Sequence, residues 1–215
     1  ASLAKEFKAA GLDAFNISLD TLNPTVCQQI NKVKVLKKVL TAIDLAVDTG
    51  LPTRTNTVVM RGQNDEELPA ILDYAASHGF EPRFLELLRI GPMVAKHSEY
   101  FFAAHEMLST LVTHYGPIHA LPYEPGSTAR YYLTPTLQRF GVIASETMAF
   151  CSSCTRLLLT ATGKLLACLF ITEGQSLKAF IHDPKQLAHA WEQALKRKPI
   201  ARIPESSQEM YAVGG

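Results

Sequence analysis

Arg54-Thr55-Asn56-Thr57-Val58-Val59-Met60 is rich in β-branched residues and reads as a β-strand, because branched side chains pack well on a pleated surface. Helical patterns flank it. Upstream, Leu36, Val39, Leu40, Ile43 and Val47 recur at helical spacing over 34–49, and Gly50 ends the run. Downstream, Leu68, Ile71, Leu72 and Ala75 mark a helix over 65–78, with Gly79 after it. Asp65-Glu66-Glu67 at its start suits the helix dipole. Further out, residues 13–19 (Asp13 to Leu19) read as a short buried strand, preceded by a helix over 2–10 that Gly11 stops. Residues 83–88 (Arg83 to Leu88) give a third strand. Strands alternating with amphipathic helices predict an α/β fold of parallel strands joined by right-handed crossovers. Three strands are too few to close a barrel, so they form half of one or part of an open sheet. In such barrels functional groups gather at the C-terminal strand ends. Those ends carry Ser18 and Asp20, then Met60 and Arg61, then Glu86 and Leu88.

The pattern changes after Gly91-Pro92, which sets an expected domain boundary: residues 1–92, then 93–215. The second part predicts a helix over 104–115, a proline-broken stretch, and a strand over 139–145. A hairpin of 156–161 and 164–170 around Thr162-Gly163 follows, then a helix over 184–198. The 215 residues are 47% hydrophobic and 19% charged, a globular balance. A formal net charge of +1 supplies no global field toward nucleic acid or membrane, so anion binding must come from local arginines and lysines. No apolar run reaches the length of a membrane span, and no secretory signal stands at the start, which predicts a cytoplasmic protein. The first residue is Ala, and the start reads as a cut or a partial gene.

The sharpest feature is Cys151-Ser152-Ser153-Cys154, with Cys168 after thirteen intervening residues. Two thiolates two residues apart can bind one metal centre from a single tight turn, and the hairpin can bring Cys168 beside them. Three readings fit this spacing. A 4Fe–4S cluster can use three cysteines and leave one iron open. A structural zinc site wants a fourth ligand, for which His182 is the nearest downstream candidate and Cys27 is remote. Cysteine is also an ordinary core residue without any ligand.

Phe150-Cys-Ser-Ser-Cys-Thr-Arg-Leu157, Thr160-Ala-Thr-Gly-Lys-Leu165, Cys168-Leu-Phe170 and the terminal Gly214-Gly215 resemble the C-terminal cluster segment of GTP 3′,8-cyclases, radical-SAM enzymes of molybdenum cofactor biosynthesis. Residues 11–20, 56–65 and 83–87 resemble later barrel strands of that family, in the same order. The resemblance covers essentially the whole chain. It implies a half βα barrel of radical-SAM type followed by an α+β C-terminal Fe–S domain. It also implies a 4Fe–4S cluster on Cys151, Cys154 and Cys168, with its open iron facing GTP. By the same resemblance Ser18 and Leu88 stand at the S-adenosylmethionine site. Arg54, Arg156, Leu158, Gly214 and Gly215 stand at the GTP site. A guanidinium suits that task because its planar fork grips a phosphate or purine edge in two places.

The departures are specific. Arg54 replaces the family's usual lysine, Leu88 its methionine, and Leu158 the second of two alternating arginines. The Cys-x3-Cys-x2-Cys motif that generates the radical in this superfamily does not occur in these 215 residues, so the chain alone is expected to be inactive. The resemblance implies a lyase acting on GTP, a partner enzyme that takes the cyclised product, and a possible homodimer. The alternatives are a radical-SAM paralogue with another substrate, favoured by Leu158 and Leu88, and a non-catalytic metal-binding remnant. The seven histidines show no paired metal spacing, and Lys196-Arg197-Lys198 fits a helix C-terminus.

Overall fold

The computed structural model describes residues 2–124 and 126–207 and realises the alternation of helix and strand. Helix α1 (Ser2–Ala9) is followed by Gly11 at φ +94°, a conformation only glycine adopts readily. Strand β1 (Phe15–Ser18) leads to α2 (Pro24–Asn31), a helix that the periodicity did not announce. Its signal is local: Asn23 Oδ1 accepts the amides of Thr25 and Val26, and Pro24 opens the first turn. Helix α3 (Leu36–Val47) buries Ile43 and Ala46, and β2 (Thr53–Val59) follows. Helix α4 (Leu68–His78) starts later than residue 65, because Pro69 fits a first helical turn and Asp65 caps a preceding turn through the Gly62 amide. The Glu67 carboxylate, at the start of α4, also accepts Thr21 Oγ1 and the Leu22 amide and so ties down the loop after β1.

Then come β3 (Glu81–Glu86), α5 (His97–Tyr100), α6 (Ala104–Tyr115), β4 (His119–Ala120), β5 (Arg130–Leu133) and β6 (Arg139–Ile143). The remaining elements are β7 (Leu158–Leu159), β8 (Lys164–Leu166), β9 (Gln175–Ser176) and α7 (Pro184–Lys196). These elements form two compact units. The first contains the residues up to Leu87 with Tyr100–Thr147; the second contains Leu88–Glu99 with the residues from Met148. This division differs from a single boundary at residue 92, because β6 returns to pair with β3 and brings α6 and β5 into the first unit.

The first unit holds a mixed α/β sheet of order β1-β2-β3-β6-β5-β4, with β1, β2, β3 and β6 parallel and β5 and β4 antiparallel. Burial alternates along β2 and β3, which assigns one face to the helices. That face buries Thr55, Val59, Phe84 and Phe140, the two phenyl rings lying 6.1 Å apart. Leu19, Ile43, Ala75 and Phe80 form a second core beneath α3 and α4. At the end of β3, Glu86 is buried, and its carboxylate accepts the amides of Ala104, Glu146 and Thr147 and the Thr147 hydroxyl. It thereby caps α6, whose own cap residue Ala103 has no side-chain acceptor.

Asp20 ends the β1–β2 ladder by substitution. The Leu19 amide donates to Asn56 O, and the Val58 amide then donates to Asp20 Oδ1. Burial pushes the Asp20 carboxyl above its ordinary value, while the Val58 amide pulls it partly back. With a raised folded value the native state holds a proton the unfolded chain has released, so stability falls as pH rises through that window. Asp20→Asn keeps the acceptor and removes the charge. Its urea midpoint should equal or exceed wild type at neutral pH and lose this acid-side slope. A lower midpoint at neutral pH would show that the charge itself is needed.

The second unit is a three-stranded antiparallel sheet, β7-β8-β9, covered by α7. Leu165, Leu177, Ala190 and Ala194 make its core, with Leu157, Phe180 and Leu187 packed against them. Asp183 Oδ1 caps α7 through the amides of Lys185 and Gln186, and hydrogen bonds hold its carboxyl below the usual range. Among the described residues no helix is long and apolar enough to cross a membrane.

Candidate functional site

The three clustered cysteines all lie in the second unit. Cys151–Ser153 form a single 3-10 turn, closed by the Cys154 amide on Cys151 O at 3.2 Å. Cys154 itself is extended, at φ −75° and ψ 123°, and points the chain into β7. The hairpin turns through residues 160–163. Gly163 adopts φ +78°, and the Thr160 amide meets Lys164 O at 2.9 Å. Leu158 pairs with Leu166 and Leu159 with Leu165, so β8 delivers Cys168 back toward the turn that holds Cys151 and Cys154. The hairpin expected around Thr162-Gly163 therefore forms, with shorter strands than the sequence suggested.

All three thiols are free and half-buried. Burial pushes the Cys151 thiol above its ordinary value, and the charges of Cys168 and Cys154 raise it further. Arg202 and Lys198 act in the opposite direction. The three sulfur groups are thus within electrostatic reach of one another, with two cations beside them. Among the described residues no three His, Cys, Asp or Glu side chains converge closely enough to hold a metal ion. Physics accounts for this: thiolates repel one another, and neutral thiols have nothing to draw them to one point, so only a cation between them closes such a set. As a donor set, three free thiols with cations in electrostatic reach fit a soft metal centre.

Lys198 joins the two arms of this site. Its ammonium donates to Arg156 O at 2.5 Å and to Ala167 O at 2.8 Å. Arg156 is exposed, Leu158 half-buried within β7. Leu88, also half-buried, belongs to the second unit, whereas Ser18 and Arg54 belong to the first. Gly214 and Gly215 lie outside the described residues.

In the first unit the sheet face opposite the helices is polar. The register sets Asn16 beside Arg54, Ser18 beside Asn56, and Asn56 beside Arg83. Arg83 spans three strands, with Nε on Asn56 Oδ1 at 2.9 Å and a terminal nitrogen on Asn16 Oδ1 at 2.8 Å. Arg54 and Arg139 share Glu81, at 3.1 and 3.0 Å. Three guanidiniums against one carboxylate leave this face positive. Gly141 leaves little room beneath it, since a Cβ there would lie 3.0 Å from Arg83 Cγ and 3.1 Å from Tyr131 Cε1. Sequence reasoning missed Arg83, Asn16, Asn56 and Lys198. The two asparagines were the available signal for the first three, because asparagine is depleted in strands and calls for a reason there.

Comparison with known proteins gives consistent results. Residues 80–202 match the Molybdenum Cofactor Synthesis C family, and residues 1–75 match the Radical SAM superfamily. A GTP 3′,8-cyclase of Synechocystis sp. is 36% identical over 200 residues, covering 93% of this chain and 60% of that protein. One from Streptomyces coelicolor is 35% identical over 227 residues, covering 99% of this chain and 66% of that protein. The GTP 3′,8-cyclase 3 of Mycobacterium bovis is 34% identical over 219 residues, covering 98% and 58%. The chain spans about 60% of the length of the curated relatives it matches.

Proposed function

Because the chain belongs to the Molybdenum Cofactor Synthesis C family, we propose that it holds the substrate side of a GTP 3′,8-cyclase. The observation that carries this reading is that three free thiols, Cys151, Cys154 and Cys168, stand on the two arms of one hairpin, within electrostatic reach of Lys198 and Arg202, in a unit that lies largely within the family match. In this reading those cysteines hold a 4Fe–4S cluster. A cluster bound by three cysteines leaves one iron open to a nitrogen or oxygen donor of the substrate.

The chain's own residues then divide the work. Arg156 grips GTP through its guanidinium, and Gly214 and Gly215 let backbone approach the ligand closely. Arg54 adds a second positive charge, oriented by Glu81. Ser18 and Leu88 serve S-adenosylmethionine, one by its hydroxyl and the other by apolar contact. Leu158 supplies no charge, so Arg156 carries the cationic contact on its arm. The activity served is the S-adenosylmethionine-dependent conversion of GTP to the cyclised precursor of cyclic pyranopterin monophosphate, a lyase reaction whose product a partner enzyme takes up. The parallel strands β1, β2, β3 and β6 are half of a βα barrel in this reading. A homodimer belongs to the same reading. A second reading, a radical-SAM relative with another substrate, is favoured by Leu158 and Leu88.

Calorimetric titration of GTP into the anaerobically reconstituted chain tests the assignment. Arg156→Ala should weaken GTP binding about tenfold or more, the worth of one charged hydrogen bond. Leu158→Arg should tighten it. If ATP binds as well as GTP, and neither substitution matters, the GTP reading fails and the second reading stands.

A further inference from the structure

We propose that Lys198 is a positioning residue for the three cysteines, tying the arm that follows Cys154 to the arm that leads into Cys168. The β7–β8 ladder runs toward the cysteines as far as the Leu158–Leu166 pair. Two further residues of antiparallel pairing would set Arg156 against Cys168 and bring the two backbones to ladder spacing, about 4.8 Å. A ligand held from both arms needs room that such pairing would fill. The structure ends the ladder at Leu158–Leu166, and Lys198 Nζ serves one carbonyl on each arm: Arg156 O at 2.5 Å and Ala167 O at 2.8 Å.

An ammonium suits this task because it carries three donors on one compact head and can serve two carbonyls at once. Its position is set by the fold. Lys198 follows α7, and its amide donates to Leu195 O at 3.2 Å. Helix α7 is anchored through Ala190 and Ala194 on Leu165 and Leu177 of the sheet that carries the arms. The packing of α7 therefore fixes the ammonium, and the ammonium fixes the separation of the arms. Lys198 acts through backbone oxygens and is not a ligand.

This inference rests on the cluster reading for its purpose, but a readout without metal separates the two. The reduced, metal-free chain is treated with dibromobimane, a short reagent that joins two thiols. Links between Cys168 and either Cys151 or Cys154 are then counted by peptide mass spectrometry against links between Cys151 and Cys154. Lys198→Met should lower the cross-arm share severalfold. Lys198→Arg, which keeps the donors and the charge, should restore most of it, and Lys196→Met should match wild type. After reconstitution, Lys198→Met should lose iron to a chelator about tenfold faster, the usual scale for an outer-shell partner of a metal ligand. If Lys198→Met loses helical circular dichroism, Lys198→Gln replaces it, and an intermediate cross-arm share supports the clasp. A wild-type cross-arm share in the folded Met or Gln variant overturns it. A reduced share in a protein whose wild type takes up no iron upholds the clasp and sinks the cluster.

Discussion

Cys168→Ser should abolish iron retention as completely as Cys151→Ser or Cys154→Ser, although Cys168 lies on the other arm of a hairpin. The reason is geometric. A three-cysteine cluster has no spare protein ligand, so a loss on either arm leaves two thiolates on one side of the metal. Serine is close in size but is a far poorer donor to a soft metal. Anaerobic reconstitution should therefore give iron contents near zero for each single variant. Cys27→Ser should retain the wild-type content, because Cys27 is buried in α2 of the first unit, where its sulfur accepts only a weak contact from Asn31. Partial retention in Cys168→Ser alone would mean that the Cys151–Cys154 turn binds metal by itself, as a two-ligand site completed from elsewhere. Zinc retained equally by all three variants would remove the shared site altogether.

Glu86→Gln should be the most damaging near-isosteric change in the first unit, costing about 3 kcal/mol of stability, because two buried donors lose their acceptor. Each carboxylate oxygen accepts two donors. Oε1 takes the Ala104 amide and the Thr147 hydroxyl; Oε2 takes the amides of Glu146 and Thr147. Glutamine must turn its NH2 toward one of these donor pairs, which places donor against donor in a site with 1% exposure. Thr147→Val removes a single bond and should cost about 1–2 kcal/mol. The distinction is readable by urea denaturation, and by hydrogen exchange at the Glu146 and Thr147 amides, which should accelerate in Glu86→Gln. Equal midpoints for Glu86→Gln and wild type would mean that the carboxylate charge contributes nothing to the joint.

The strand and helix alternation was legible because its apolar residues repeat at the right periods, and α6 was read at its observed limits, 104–115. What periodicity missed were α2, α5, β4, β5 and β9. Helix α2 is announced by its cap, not by an apolar stripe, and β4 and β9 are two residues long. The return of β6 to β3 was also hidden, since parallel pairing between distant segments leaves no local mark. The thiol group was visible as spacing, and its ligand stayed undecided on spacing alone. Lys198 was read as an ordinary charge at a helix end, because its partners are backbone oxygens 42 and 31 residues away, and a sequence does not display carbonyls. Glu67 stands at the start of α4, where its charge suits the helix dipole, and the fold also bonds it to a loop 45 residues upstream, which no local pattern displays.

The central claim is that Cys151, Cys154 and Cys168 together hold one iron–sulfur cluster. The most direct measurement is iron, sulfide and zinc per chain after anaerobic reconstitution, with Mössbauer spectroscopy on the same sample. About four irons and four sulfides per chain in a single 4Fe–4S species are expected. Stoichiometric zinc with no sulfide would contradict it and identify a closed structural site instead.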